Sequence, residues 1–148
     1  LGEMVPLLAQ QLEAAGFKVT QDVREYNQIE SEALAGKFDA VLVSRSTVQD
    51  SGDAVAYMTT DFSSSGSYSM SGLSDAKVDA AISKAAAIDP GEDRRKAIMA
   101  AEQVILVTGA AIPIVHERVL QGEAAGVSGA ERDPNERALI TSATTVKK

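Results

Sequence analysis

The chain contains no cysteine, no tryptophan and a single histidine, His116. Disulfides, thiolate catalysis and sulfur-ligated zinc are therefore excluded, and a histidine-rich metal site with them. Aromatic residues are scarce: Phe17, Phe38, Phe62, Tyr26, Tyr57 and Tyr68 are thin material for an aromatic-lined pocket. No apolar run reaches the ~18 residues that a membrane-crossing helix needs. Positive charge is also short. Fourteen Lys and Arg face twenty-one Asp and Glu, a net charge of −7, and residues 1–70 carry four basic against ten acidic side chains. An acidic chain without a basic stripe argues against nucleic acid and anionic membrane surfaces as partners. It leaves room for cationic or zwitterionic ligands.

What is present is ordinary globular material: 148 residues, 45% hydrophobic and 24% charged, enough for one domain with a core of its own. No charged segment followed by an apolar stretch opens the chain, so no signal peptide is visible. An opening at Leu1-Gly2-Glu3-Met4, already inside a helical pattern, is expected of a piece of a longer polypeptide.

Val5, Leu8, Leu12 and Ala15 share one face of a helix over residues 3–15, with Gly16 as its stop. Phe17, Val19, Gln21 and Val23 alternate with polar residues and predict a strand. Asn27 to Glu30 reads as a capping box for a short helix ending at Gly36. The more continuously apolar 38–44 predicts a buried central strand. Fourteen residues with a helix between the two strands suit a parallel crossover, so the expected fold class is α/β. Asp53 is placed as the cap of a helix over 53–59. Ser63 to Gly72 is Ser/Gly-rich, a loop that is either mobile or faces a ligand. Ser74 is placed as the cap of a helix bearing Val78, Ile82 and Ala85. Asp89-Pro90 is placed at the start of a long helix with Ile98, Ala101 and Ile105 on one face, stopped by Gly109. Residues 111–115 predict a short edge strand. In 117–148 only Ala138-Leu139-Ile140 has packing character.

Catalytic patterns are weak. Gly126-Val127-Ser128-Gly129 is an incomplete nucleophile elbow. His116 lacks a placed partner. Asp50 and Asp53 do not have the spacing of a calcium loop. No glycine pattern cradles a phosphate ahead of a helix. Neither an enzymatic activity nor a cofactor is expected.

Four stretches in order carry a resemblance. They are Leu7 to Val19; Gly36-Lys37-Phe38-Asp39-Ala40-Val41-Leu42-Val43; Ser71-Gly72-Leu73-Ser74-Asp75-Ala76-Lys77-Val78-Asp79; and Asp89-Pro90 through Arg95, with Ala101 to Ile105 and Ala110 to Ile114 following. Together, over residues 5–116, they resemble the C-terminal part of the extracellular solute-binding proteins of ABC importers, the peptide/nickel-binding family. The resemblance implies the C-terminal lobe of a two-lobed periplasmic-binding-protein-like fold, with parallel strands and crossover helices. Residues 1–116 would be a partial lobe, and 117–148 a tail returning towards the missing N-terminal lobe.

It also implies a function. The chain would help capture a small solute, peptide favoured, for ABC permease subunits, by hinge closure. It would lie outside the cell or in the periplasm, with membrane contact only through a lipoprotein anchor outside this chain. In peptide-binding relatives an Asp after the "F-D-A" strand pairs with the ligand's ammonium. Asp50-Ser51-Gly52-Asp53 matches that place, which makes Asp50 the implied anchor and Asp53 a helix cap. Arg45, the alternative anchor for an anionic group, together with Ser46 and Ser67 completes the candidate ligand-binding set. The competing expectation is a free-standing α/β interaction or signalling domain without catalysis.

Overall fold

The computed structural model describes residues 2–45, 52–116, 120–131 and 140–147. Among these the chain is mainly helical. Five helices appear in chain order: α1 (Met4–Ala14), α2 (Tyr26–Leu34), α3 (Ala54–Phe62), α4 (Ala76–Ala86) and α5 (Glu92–Val107). Two short strands, β1 (Val127–Ser128) and β2 (Thr145–Val146), pair antiparallel, with Val127 opposite Val146 and Ser128 opposite Thr145.

The expected parallel α/β lobe is therefore corrected. Residues 17–23, 38–44 and 111–115 form no strand, and the two-stranded sheet is antiparallel and lies elsewhere. The physical reason is that a period-two pattern describes a surface suited to a sheet but does not supply the neighbouring ladder. These segments find no pairing strand among the described residues, and without one the pattern stays unexpressed. α2 consequently bridges no pair of strands, and α5 packs on helices rather than on a sheet.

The helices follow local chemistry closely. α1 and α2 both end in a Schellman turn, with Gly16 at φ +98 and Gly36 at φ +68. The amide of Phe17 reaches the Leu12 carbonyl, and that of Lys37 reaches Glu32. Asp53 caps α3 by accepting from the Val55 amide at 2.9 Å. Three assigned starts shift by a residue or more. α2 begins at Tyr26, so Asn27 lies inside the helix and caps nothing. Asp75 rather than Ser74 caps α4, accepting from the Lys77 and Val78 amides. α5 begins at Glu92 after a Pro90-Gly91 turn. Asp79 near the start of α4 and Lys84 near its end complement the helix dipole.

The core lies between α3, α4 and α5. Val55 and Met58 of α3, Val78, Ile82 and Ala85 of α4, and Ala101 and Ile105 of α5 are buried, with Phe62, Leu73 and Ile98 half-buried against them. Val78 is fully buried. The i, i+3, i+4, i+7 spacings on each helix put these residues on facing stripes.

Arg94 fastens the same three helices. Its guanidinium donates to the carbonyls of Ile88 at 2.8 Å, Ala85 at 3.3 Å and Ala86 at 3.4 Å, covering the end of α4. It also pairs with Asp53 at 2.8 Å, at the start of α3. A cation at helix carbonyls without partners of their own satisfies them and suits the dipole.

Outside this core much apolar surface is uncovered. Leu7, Phe17, Val23, Met99, Val107, Ile112 and Leu120 are all more than half exposed. Ile140, expected to pack, is 81% exposed, while Ala138 and Leu139 lie outside the described residues. α1 and α2 pack against none of the other helices.

Candidate functional site

Arg45 stands two residues after the apolar 38–43 run, with Ser44 between. The cluster around Arg45 draws on three places. Tyr57 and Asp61 lie four apart on α3 and so share a face. Tyr68 comes from the Ser/Gly-rich loop, and Tyr26 and Glu30, again four apart, from α2.

The geometry is close. Arg45 Nη2 donates to Asp61 Oδ1 at 2.8 Å. Its guanidinium carbon lies 4.7 Å from the centre of the Tyr68 ring and 5.6 Å from that of Tyr57, both within cation–π range. Tyr57 in turn meets Phe62 edge-to-face, with centroids 5.7 Å apart. Behind the rings the Tyr68 hydroxyl donates to Glu30 Oε1 at 2.5 Å and also meets the Tyr26 hydroxyl. All three tyrosines of the chain are thus in one cluster.

The cluster is electrostatically uncomfortable. The Asp61 side chain is 10% exposed and that of Arg45 30%. Burial pushes the Asp61 carboxyl above the usual carboxylate range, outweighing the Arg45 charge that pulls it down. Burial, then the Asp61 charge, likewise raises the Tyr57 phenol. Arg45 Nε is buried without a hydrogen-bond partner among the described residues. A buried donor left unmet costs about 1–3 kcal/mol. An ion pair of this kind does little for stability. The arrangement holds a planar cation between aromatic rings and a carboxylate.

The loop that delivers Tyr68 is pinned rather than mobile. Ser64 N donates to Asp79 Oδ1 at 2.8 Å, Ser63 Oγ to the Thr59 carbonyl at 2.7 Å, and Tyr68 N to the Thr60 carbonyl at 3.1 Å. Gly66 permits this. A Cβ there would lie 2.4 Å from the Thr60 carbonyl oxygen and 2.8 Å from that of Thr59. The loop can lie across the end of α3 only because Gly66 has no side chain.

Of the expected ligand-binding set, Arg45 sits at the centre of this cluster. Ser67 is exposed on the loop beside Tyr68, and Asp50 and Ser46 lie outside the described residues. Tyr57, Asp61, Tyr68, Tyr26 and Glu30 were not singled out from the sequence as binding residues. The available signal was the i, i+4 pairing of Tyr57 with Asp61 and of Tyr26 with Glu30. Ser128 Oγ bonds to Thr145 Oγ1 at 2.8 Å, and His116 is exposed. Asp53 is engaged with the α3 cap and Arg94, which hold its carboxyl below the usual range despite partial burial.

Among the described residues no group of three or more His, Asp and Glu side chains is placed to hold a metal. No described helix is long and apolar enough to cross a membrane. A surface hollow of about 570 Å3 lies between the start of α4 and the end of α5, lined by Asp75, Lys77, Gln103, Val104, Val107 and Thr108. It contains none of the clustered residues. No protein-family model, curated protein or solved structure matches this chain.

Proposed function

We propose that this chain contributes a ligand-contacting part to an extracellular or periplasmic solute-binding protein of an ABC importer, with peptides as the favoured solute. The observation that carries this reading is the Arg45 cluster. It forms just after the "F-D-A" stretch, where the resemblance places ligand contact, and gathers three tyrosines and two carboxylates from separate segments. Side chains of this kind suit a solute that carries a cationic group: carboxylates for the charge, and rings for its flanks.

Two further features fit. The bonds from Arg45 to Asp61 and from Tyr68 to Glu30 join residues 26–45 to α3 and its loop. A ligand engaging the cluster would act on that joint, as hinge-closing binders require. The uncovered apolar residues fit a chain that buries them against further polypeptide of the binding protein and its permease. Membrane attachment would come through an anchor outside this chain.

Calorimetry of the polypeptide that carries this sequence, against short peptides, nickel chelates and sugars, tests the proposal. A saturable isotherm with peptides, weakened by substitution of Tyr68 or Asp61, is expected. A folded protein that binds none of the panel overturns it.

A further inference from the structure

The Arg45 cluster has the construction of a cation site whose occupant comes from the chain itself. We propose that the Tyr57–Tyr68–Asp61 cage receives a guanidinium or alkylammonium side chain of the bound peptide, and that Arg45 is the internal stand-in which this ligand displaces. The inference rests on reading the cluster as the ligand-contacting site, and it commits that site to basic peptides.

Three observations carry it. First, two tyrosine rings at 4.7 and 5.6 Å and a carboxylate at 2.8 Å are the groups by which proteins recognise organic cations. Second, the sign of charge is right. Arg45 and Asp61 cancel, and Glu30 behind Tyr68 leaves the cluster net negative, within a half-chain that has four basic and ten acidic side chains. An arriving anion is repelled and an arriving cation attracted. Third, Arg45 fits its place imperfectly. Its Nε is buried without a partner among the described residues, although the side chain as a whole is 30% exposed. A long side chain with a route to water and one unmet donor is readily replaced by a ligand that brings a better-seated cation. Arg45 then weakens the apparent affinity in proportion to the time it spends in the cage.

The chain has three tyrosines, all in this cluster, and no tryptophan, so tyrosine emission reports on the site without background from other residues. Titration of the full chain with L-arginine amide is expected to give a saturable change in emission. L-citrulline amide, of the same length but with a neutral urea, is expected to give none. Arg45→Gln vacates the cage, and arginine amide then binds about tenfold tighter or more. Adding Asp61→Asn to that variant abolishes the gain.

Equal responses to the two amides, or none to either up to their solubility limits, overturn the proposal. So does an Arg45→Gln chain of unchanged helicity that binds arginine amide no better than the wild type. If Arg45→Gln loses its helical signal, the wild-type pair of titrations decides alone. Peptide capture indifferent to a basic side chain overturns the cage but leaves solute capture standing. A cage that takes arginine amide in a chain capturing no peptide does the reverse.

Discussion

Replacing Arg94 with methionine keeps an apolar stem against α4 while removing the guanidinium, and so isolates the polar fastening of the helical core. Four contacts are lost. The Ile88 carbonyl bond, at 2.8 Å, has full hydrogen-bond length. Those to Ala85 and Ala86, at 3.3 and 3.4 Å, are too long to contribute much. A bond from a charged donor is worth about 1.5–3 kcal/mol, and the freed carbonyls recover part of this from water. The fourth contact, to Asp53, joins a 17% exposed side chain to a 42% exposed one, so solvent screening holds it to about 0.5–1 kcal/mol. The expected loss is about 2–3 kcal/mol, or roughly 30- to 150-fold in the folding equilibrium. Urea unfolding followed by far-ultraviolet circular dichroism measures it. Asp53→Asn keeps a side-chain acceptor for the α3 cap and removes the charge. The double-mutant cycle should therefore show coupling below about 1 kcal/mol. A loss under about 0.5 kcal/mol for Arg94→Met would mean that apolar packing alone holds α3, α4 and α5 together.

Gly66→Ala forces a Cβ into the Thr59 and Thr60 carbonyls; it should cost about 1–3 kcal/mol and change tyrosine emission by moving Tyr68, whereas unchanged stability and emission would contradict the pinned loop. Val78→Ala, at a fully buried side chain, should cost about 2 kcal/mol in urea unfolding; a cost near zero would place the core elsewhere. Asp53 and Asp61 should tilt the pH dependence of stability in opposite directions. The Asp53 carboxyl is lowered, first by the Val55 amide, so its contribution is present above the unfolded value of about 3.9 and fades as pH falls through the folded one. The Asp61 carboxyl is raised by burial, so its stabilising neutral form is lost as pH rises from about 3.9 through the folded value. Urea midpoints across the acid limb should show the Asp53→Asn deficit shrinking towards low pH. Over the same range Asp61→Asn should gain on the wild type as pH rises, and parallel curves would contradict both assignments.

Helix-level features were legible in the sequence because they depend on neighbours along the chain. Gly16, Gly36 and Gly109 mark real helix ends, Asp53 caps α3, and Val78, Ile82 and Ala85 form the buried stripe of α4. Caps were misplaced by a residue where two candidates stood side by side, as with Ser74 and Asp75. Strands were not legible in the same way. Phe17 to Val23 has the alternation of a sheet surface, but pairing requires a second segment that no local pattern specifies. The pairing that does form, Val127 with Val146, had no signal beyond turn residues on either side. For the candidate site, the resemblance offered Arg45 only as an alternative anchor for an anionic group, and the structure sets it against Asp61. The rest of the cluster was invisible because Tyr57, Tyr68 and Glu30 meet only once the loop folds back over α3, which depends on Gly66.

A basic peptide should displace Arg45 from the tyrosine–carboxylate cage that it occupies. Heteronuclear magnetic resonance of the isotopically labelled chain tests it most directly, by following the Arg45 side-chain protons. In the free chain these protons should show upfield ring-current shifts and nuclear Overhauser contacts to the Tyr57 and Tyr68 rings. On saturation with an arginine-bearing peptide, the contacts should vanish and the shifts return to those of a solvent-exposed arginine. Arg45 protons that show no ring contacts in the free chain, or that keep them unchanged under saturating peptide, would contradict it.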